Sequence, residues 1–443
     1  MDVPSAGPPQ ARHSQSPGGR TAAEPTSPPF PERGPGGKHS ILYAWEFGAN
    51  LGHVGAFMPL ARALRDQGHE VHWMVTQPAV VGDFLAGEGF TWLAAPTVPE
   101  GARPGPPITY ADILLRFGYA EPRTLFGLVG GWREAMRLTG ARLVLADHAP
   151  TALLAARSLG LPVMLFSNGF TAPPRRSPLP NMRPWAPLPE QTISQLDQSA
   201  LAAVNQVLAR YRCPQLPRLA DLFDVAEEAL VTFPELDHYA DRGPARYWGS
   251  LPSAGAGRRV SWPDGRAPRL FAYLRPESPH LEAVLGALLA LGQSTVVYFP
   301  NMPPVMAARF VAPHLRFLDH PADIEQMTRE ADAAITYASL ATTTAFLLAG
   351  KPLLMLPGHL EQFLVARRVE EMGAGRLVNP EQPAGDLRAA IADLIENPSW
   401  RTNAKAFAAK YAAFDQRAVI GNLVRRINEM LGVHGQASSG DMP

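Results

Sequence analysis

The alternation of β-rich runs with helical runs, in two successive series, is the feature that most restricts the fold of this chain. The first series includes the strand-like runs SILYAWEF, EVHWMV, RLVLAD and PVMLF, and the second includes RLFAYLRP, STVVYFP, AAITYAS and PLLMLP. Strands that alternate with helices form βαβ units on a parallel sheet covered by helices on both faces. We therefore predict an α/β protein with two Rossmann-like, doubly wound domains that face a cleft.

Changes in composition give the expected domain boundaries. At 443 residues the chain exceeds what one hydrophobic core usually supports, so two domains are expected. Residues 1–38 are rich in Pro, Gly, Ser and charge with almost no large apolar side chains, which predicts a disordered leader. A Gly-, Ala-, Pro- and Arg-rich stretch predicts a linker at 251–268. The N-terminal domain is then 39–250, and the C-terminal domain is 269–430 with consecutive helices at its end, followed by a tail at 431–443.

Charge and cysteine content exclude several partners and compartments. The chain has 40 basic and 40 acidic residues, so its formal net charge of zero argues against nucleic acid as a partner. The single cysteine, Cys213, cannot form a disulfide within the chain, which favours a reducing compartment and predicts a cytoplasmic protein. No apolar run approaches the roughly 18 residues that span a bilayer, and the N-terminus lacks the apolar core of a signal peptide. Any membrane contact is expected to be peripheral.

The first candidate site lies in EFGANLGHVGAFMPLARALRDQGHEV, residues 46–71. Gly48, Gly52 and Gly55 surround the end of the first strand and the start of the first helix, where a ligand can approach the backbone. The spacing of these glycines differs from the dinucleotide-binding fingerprint. His53 is expected at the carboxyl edge of the sheet, facing the cleft. It is equally compatible with a histidine that caps its own loop and with a general base.

The second candidate site is Asp147, which follows an apolar strand and precedes a helix in RLVLADHAPTALLAAR. A carboxylate in this position is well suited to cap the following helix. It is also placed to orient His53 and to stabilise its protonated form, as the acid of a catalytic triad does. His148, the next residue, is a candidate for either role.

The third candidate site is the stretch ITYASLATTTAFLLAGKPLLMLP, residues 335–357. A strand that ends near residue 337 and is followed by a helix presents unpaired backbone N–H groups at the helix start. The hydroxyl groups of Ser339, Thr342 and Thr343 add donors that suit a phosphate. Ser339 is equally suited to be the N-cap of the helix alone.

Three more polar residues are expected at the same edge of the second sheet. Glu361 and Gln362 begin the next helix and together provide the donors and acceptors that bind a polyhydroxyl ligand, although both are ordinary residues for a first helical turn. Arg275, in AYLRPESPH, is either a cation that binds a diphosphate or a surface residue.

The Pro-rich segment 167–190 follows a strand of the first domain and contains too many prolines for regular structure. We interpret it as a candidate lid over the substrate. Arg175, Arg176 and Trp185 in this segment either form a pocket for an aromatic or lipid-linked compound or cover the cleft. We assign Arg175 and Arg176 to acceptor binding on this basis, and we also assign Gly52 of the first candidate site to acceptor binding.

Together and in this order, these stretches resemble the GT-B fold glycosyltransferases, in particular the macrolide, antibiotic and UDP-glucuronosyl or UDP-glucosyl transferases. The resemblance covers roughly residues 40–430. LGHVGAFMPLARALRDQGHEV is similar to the first loop and helix of those enzymes, and PELDHYADRGPARYWGSLP, residues 234–252, to the segment before their linker. The resemblance implies that the N-terminal domain binds the acceptor and that the C-terminal domain binds the donor. It also implies that His53 deprotonates the acceptor hydroxyl and that Asp147 orients His53.

The donor motif of this family is present with altered residues. The motif runs His-Gly-Gly, Thr, Glu-Ala-Leu, Gly-Val-Pro and Asp-Gln with Asn-Ala, and the positions kept here are Thr342, Leu347, Gly350, Pro352, Pro357, Gln362 and Ala366. The replaced positions are Tyr337 for His, Ala338 and Ser339 for the two Gly, Ala345 for Glu, Glu361 for Asp and Val365 for Asn. The resemblance and the polar groups above assign donor binding to Arg275, Tyr337, Ser339, Thr342, Thr343, Glu361 and Gln362.

These assignments predict a glycosyltransferase that moves a sugar from a UDP- or dTDP-type nucleotide donor to a hydroxyl of a small-molecule or lipid-linked acceptor. Direct displacement would invert the anomeric configuration. The nucleotide-sugar is a co-substrate and no cofactor is expected. No Asp-x-Asp motif lies beside a strand, so no metal site is expected. The alternatives are a non-catalytic glycosyltransferase-like binding or activating protein, a transferase with an unusual donor, and a nucleotide-sugar 2-epimerase.

Overall fold

The computed structural model describes residues 38–48, 52–186, 188–252, 257–276 and 278–433, which belong to one compact unit. The predicted leader apart from residue 38, the predicted tail beyond residue 433 and residues 253–256 of the predicted linker lie outside the described residues.

The described residues form two six-stranded sheets, and every strand pair in both sheets is parallel. The strands of the first sheet are Ser40–Trp45 (β1), Glu70–Val75 (β2), Thr91–Ala94 (β3), Leu143–Asp147 (β4), Val163–Ser167 (β5) and Glu227–Leu230 (β6). Those of the second are Arg266–Tyr273 (β7), Gln293–Tyr298 (β8), Leu315–Leu318 (β9), Ala333–Thr336 (β10), Leu353–Met355 (β11) and Gly375–Leu377 (β12). The predicted α/β class with two Rossmann-like sheets is confirmed.

Both sheets have the same strand order. The first runs β3-β2-β1-β4-β5-β6 and the second runs β12-β11-β10-β7-β8-β9. In each case the chain builds one half outward from the first strand and then crosses to build the other half on its opposite side. The order therefore reverses between β1 and β4 and between β7 and β10, and such a reversal opens a crevice at the carboxyl ends of the strands.

Helices cover both sheets. They are Gly52–Asp66 (α1), Pro78–Gly87 (α2), Tyr110–Leu114 (α3), Pro122–Leu138 (α4), Pro150–Leu159 (α5), Glu190–Arg210 (α6), Leu281–Leu291 (α7), Pro304–Arg309 (α8), Ile324–Glu330 (α9), Leu340–Leu348 (α10), Leu360–Glu371 (α11), Leu387–Glu396 (α12), Pro398–Lys410 (α13) and Gln416–Leu431 (α14). None of those in the described part of the chain is both long and apolar enough to cross a membrane. The cytoplasmic location remains a prediction.

Strand β1 shows why the first sheet is buried on both faces. Residues 41–45 are all inaccessible to solvent. Leu42 and Ala44 contribute to one core, whereas Tyr43 and Trp45 contribute to the core on the opposite face. Successive strand side chains point to opposite faces, so an uninterrupted apolar run is expected where helices cover both sides.

The C-terminal helix α14 packs on the first sheet's side of the molecule, although it follows the second sheet in the chain. Val419, Leu423 and Ile427 are buried in the same core as β1 and α1. The side chain of Asn428 also hydrogen-bonds His69, with 2.9 Å between Oδ1 and Nε2. The spacing of these apolar residues follows the helical repeat that predicted the helix. The chain therefore crosses between the two halves a second time at its end.

Strand β7 begins at Arg266, inside the stretch 251–268 that the composition predicts as a linker. The Pro-rich segment after β5 contains no helix or strand up to α6 among its described residues, apart from one isolated bridge between Asn181 and Thr109. The domain boundaries themselves remain predictions.

Candidate active site

The two reversals of strand order place the candidate residues at two facing edges. His53 is the second residue of α1, which follows β1, and Asp147 is the last residue of β4. In the second sheet, Arg275 lies two residues after β7 and Tyr337 lies directly after β10. The residues predicted from the sequence therefore lie at both crevices.

His53 and Asp147 form a hydrogen-bonded pair. The distance from Nδ1 of His53 to Oδ2 of Asp147 is 2.9 Å, and the Tyr43 hydroxyl donates to the same oxygen at 2.8 Å. A ring nitrogen that faces a carboxylate carries the proton, so Nε2 of His53 keeps its lone pair. The Trp45 ring stacks on the imidazole with 5.2 Å between centroids and holds its orientation. This is the arrangement of a base with its orienting acid.

The alternative role of Asp147 as a helix cap is wrong. The N-cap of α5 is Ala149, and no side chain at that position caps the helix. The backbone N–H of Thr151, which has no acceptor within the helix because it lies in the first turn, instead donates to Oε2 of Glu46 at 2.8 Å. Because Glu46 takes over the capping function, the carboxylate of Asp147 is available to His53.

The electrostatics raise the pKa of His53. Burial lowers its pKa, but the charge and hydrogen bond of Asp147, followed by the charge of Glu361, outweigh burial and raise the pKa above its ordinary value of 6.5. A base whose conjugate acid is stabilised accepts a proton more readily from a weakly acidic hydroxyl. His148 differs, because burial and then the charge of His53 place its pKa well below the ordinary value.

Gly48 leaves Nε2 of His53 uncovered. Its φ of +94° is strained for other residues, and a Cβ built on it would lie 2.7 Å from that nitrogen. The missing side chain therefore keeps space open at the nitrogen that has the lone pair. At Gly52, predicted to bind the acceptor, an added Cβ would have no atom within 4 Å other than those of its chain neighbours and of the nearby helix backbone.

Glu361 connects the second half of the molecule to this pair. It lies in the first turn of α11, where its Oε1 accepts a hydrogen bond of 2.5 Å from Nδ2 of Asn168, the residue after β5. Its charge contributes to the raised pKa of His53. At the buried His238, burial lowers the pKa and outweighs the opposing charge of Glu361. Gln362 instead bonds its own loop, because its Oε1 accepts from the backbone N–H of Gly358 at 2.8 Å.

A cluster of aromatic rings and one cation lies at the edge of the second sheet. The guanidinium of Arg275 lies over the Tyr337 ring, 5.4 Å from its centroid, and Tyr337 packs edge-on against Tyr273 at 4.8 Å. Tyr298, which pairs with Tyr273 in the sheet, packs on its ring at 4.8 Å. The aromatic rings hold the cation near the turn between β10 and α10.

The turn before α10 keeps a glycine-like backbone without glycine. Ala338 has a φ of +61°, and Ser339 occupies the N-cap position without a capping side-chain hydrogen bond. Thr342 and Thr343 lie in the helix with buried side chains, and Thr343 is fully inaccessible. The hydroxyl of Thr343 has no partner among the described residues. Of the predicted phosphate donors, Ser339 is therefore the hydroxyl nearest the helix start that is not buried.

The two arginines assigned to acceptor binding pair with surface carboxylates. Arg175 contacts Asp224 and Arg176 contacts Asp241, and all four side chains are at least 45% exposed. The structure brings neither arginine into contact with His53. In the same segment, Trp185 reaches α11, where its ring packs 4.9 Å from that of Phe363.

Comparisons with known proteins identify the architecture. No family model matches the chain. A Mycobacterium tuberculosis protein named PGL/p-HBAD biosynthesis glycosyltransferase is 26% identical over 410 residues, which are 86% of this chain and 91% of that protein. The calicheamicin glycosyltransferase CalG4 has a TM-score of 0.67 at 18% identity, with 90% of this chain and 99% of that chain covered. For the glycosyltransferase VinC in complex with dTDP, the TM-score is 0.61 at 19% identity, with 88% and 99% covered.

The chain has the GT-B fold. The resemblance to GT-B glycosyltransferases that the sequence indicated is confirmed, because the relative and the structural neighbours are glycosyltransferases. Within this GT-B chain, the His53–Asp147 pair lies at the crevice of the first sheet, and the altered donor motif lies at that of the second. No group of His, Cys, Asp and Glu suited to a metal ion is found in the described part of the chain.

Sequence reasoning missed several side chains at the site. Tyr43 and Glu46 lie within and just after β1, and Asn168 follows β5, so all three are at or near the carboxyl edge that carries His53. For Glu46 and Asn168 the position directly after a strand was a usable signal, whereas Tyr43 lies inside β1. Tyr273 and Tyr298, the last residues of β7 and β8, had the same signal in the second sheet.

Proposed function

We propose that this protein transfers a sugar from a nucleoside diphosphate donor, of the UDP or dTDP type, to a hydroxyl of a small-molecule or lipid-linked acceptor. The observation that carries the proposal is the 2.9 Å contact between His53 and Asp147 at the crevice of the first sheet. A neighbour of the same fold is described in complex with dTDP, which supports this class of donor.

His53 acts as the general base of the transfer. Its Nε2 takes the proton of the acceptor hydroxyl while the oxygen forms a bond to the anomeric carbon of the sugar. The bond from that carbon to the diphosphate oxygen breaks on the opposite side, so the configuration inverts and the diphosphate leaves with the bonding electrons. Asp147 stabilises the imidazolium that results.

Groups at the edge of the second sheet stabilise the negative charge on the departing diphosphate. Arg275, held over Tyr337, and the free N–H groups at the start of α10 are the donors available for that charge. These donors make the transfer independent of a metal ion. In this proposal Glu361 and Gln362, in the first turn of α11, hydrogen-bond the sugar, and the effect of Glu361 on the pKa of His53 supports a position near the reacting atoms.

A second candidate function is that of a non-catalytic binding or activating protein. It is favoured by the turn at residues 337–339, where side chains occupy positions that are glycine in the family motif. Ala338 adopts the left-handed backbone of a glycine, with φ of +61°, and is fully buried. The shape of the turn is thus retained, but less room remains for a diphosphate to approach its backbone.

Thermal unfolding with UDP, dTDP, GDP and their sugars distinguishes the two candidates. A ligand at a hundred times its dissociation constant stabilises a protein by about 2.7 kcal/mol. A shift confined to one nucleotide class is expected for the transferase. No shift with any nucleotide would refute the transferase and support the non-catalytic protein.

Turnover of the nucleotide-sugar by the His53→Ala variant then tests the chemistry. We expect a loss of about 10²- to 10⁴-fold in rate, the usual contribution of a general base, with the nucleotide-induced thermal shift unchanged. The control is His72→Ala, because His72 lies on β2 and bonds Thr91, away from the pair. An unchanged rate in His53→Ala would show that another group is the base.

A further inference from the structure

His148 is a buried histidine that the fold itself does not use. Only 7% of its surface is exposed, and neither ring nitrogen has a hydrogen-bond partner among the described residues. It follows Asp147 directly, yet the first turn of α5 is capped by Glu46. An imidazole buried without a partner destabilises a protein, so its retention in this position calls for a ligand.

The backbone at His148 connects two loops next to the catalytic pair. Its φ of +47° is unusual for a side chain of this size, and its carbonyl accepts a hydrogen bond of 2.9 Å from the backbone N–H of Phe47. The strained residue thus ties the loop after β4 to the loop after β1, which precedes His53. Strain of this kind concentrates at functional sites.

The environment of the ring is aromatic and contains a second unpartnered polar group. Phe47, Tyr110 and Phe170 pack around it, with ring centroids 5.4, 5.9 and 6.0 Å away. The hydroxyl of Tyr110 is also buried without a partner among the described residues. The His148 ring lies 6.2 Å from the His53 ring. Burial and the neighbouring His53 lower the pKa of His148, so the ring is neutral and has one donor and one acceptor nitrogen.

We propose that His148 binds the acceptor, with its imidazole hydrogen-bonded to an oxygen next to the hydroxyl that His53 deprotonates. The centroids of the two rings are 6.2 Å apart, so a single small ligand with oxygens on adjacent carbons is able to contact both imidazoles. The aromatic residues around the ring favour an aromatic acceptor. The acceptor class is therefore a catechol-like aromatic diol. This inference rests on the proposed transferase function.

The test compares catechol with ortho-cresol, in which a methyl group replaces one of the two hydroxyls. Glycoside formation from both probes is measured with wild-type protein, His148→Phe, His148→Asn and His314→Phe. His314 is the matched control, because it also has an unpartnered ring nitrogen but lies before β9 in the second sheet. We expect the wild type and the control to prefer catechol by about tenfold in kcat/KM, the equivalent of one net hydrogen bond.

His148→Phe is expected to lose this preference through a higher KM for catechol, with little change for ortho-cresol. His148→Asn, which tolerates the left-handed backbone and retains a donor and an acceptor, is expected to restore part of it. The ratio of kcat/KM between the two probes carries the test, because phenylalanine strains the left-handed backbone and lowers the melting temperature whatever the role of His148. A merely structural histidine would instead lower the rates with both probes together and leave their ratio unchanged.

Three outcomes would overturn the inference. They are equal use of both probes by the wild type, a preference that survives in His148→Phe, and turnover of neither probe by protein that shows a nucleotide-induced thermal shift. The last outcome would leave the proposed transferase intact. If no nucleotide shifts the melting temperature, the transferase itself fails and this inference fails with it.

Discussion

Glu46→Gln should stabilise the protein, and the gain should grow with pH. Glu46 is buried beneath the start of α5, where one carboxyl oxygen accepts from the backbone N–H of Thr151. Burial raises its pKa from 4.5 to about 8, although the hydrogen bonds from Thr151 and Ala152 act in the opposite direction. Glutamine has the same shape and keeps the accepting oxygen, but it has no charge to desolvate.

The sign and size of the effect follow from the two pKa values of Glu46. Because the folded value exceeds the unfolded one, the contribution to stability is complete below pH 4.5 and is lost as pH rises toward 8. Each unit costs about 1.4 kcal/mol. The Gln variant lacks this loss, so its advantage should reach about 3 kcal/mol at pH 7 and about 5 kcal/mol above pH 8.

The assay is urea denaturation followed by circular dichroism at four pH values from about 5 to 8, near which the two pKa values lie. The control is Glu121→Gln, because Glu121 caps α4 through the N–H groups of Arg123 and Thr124 but is fully exposed. Its pKa is lowered, so its contribution is constant over this range. A Glu46→Gln effect that does not change with pH would refute the reasoning. It would show that the first turn of α5 keeps the carboxylate charged despite burial.

The remaining predictions test the pair, the space beside it and the C-terminal helix. Asp147→Asn should lower kcat/KM and move the acid limb of its pH profile to lower pH, because the charge that raises the pKa of His53 is removed; a limb that stays in place would contradict this. Gly48→Ala should abolish transfer but keep the nucleotide-induced thermal shift, because its Cβ would lie 2.7 Å from Nε2 of His53. Transfer at the wild-type rate would show that the reaction does not need the space beside Nε2. Leu423→Ala in α14 should lower the free energy of unfolding by about 2–5 kcal/mol in urea titrations, as for other fully buried leucines. The exposed Leu138→Ala is its control, and equal effects would contradict the packing.

The sequence was sufficient to predict the sheets and the central pair for a physical reason. Parallel strands end at the same edge, so His53 after β1 and Asp147 at the end of β4 had to lie near the same crevice once the alternation of strands and helices was recognised. The helical repeat predicted α14 in the same way. Such inferences depend only on local pattern and on topology.

Partner choice by side chains could not be predicted in this way. Glu46, and not Asp147, caps α5 by accepting from Thr151, which lies 105 positions away in the chain, so the tertiary packing decides which carboxylate reaches the helix. Arg175 and Arg176 pair with carboxylates that lie 49 and 65 positions away. The burial of Thr343 likewise depends on how α10 packs, and the three successive threonines in its sequence did not indicate a buried position.

The position of α14 has a consequence for the order of events during synthesis. Asn428 and its partner His69 are 359 positions apart, and translation delivers about 5–20 residues per second. The apolar surface of α1 that α14 covers therefore emerges from the ribosome long before its cover does. The apolar surface of α1 stays exposed on the nascent chain until α14 has been synthesised, and during that time it is a target for chaperones and for aggregation.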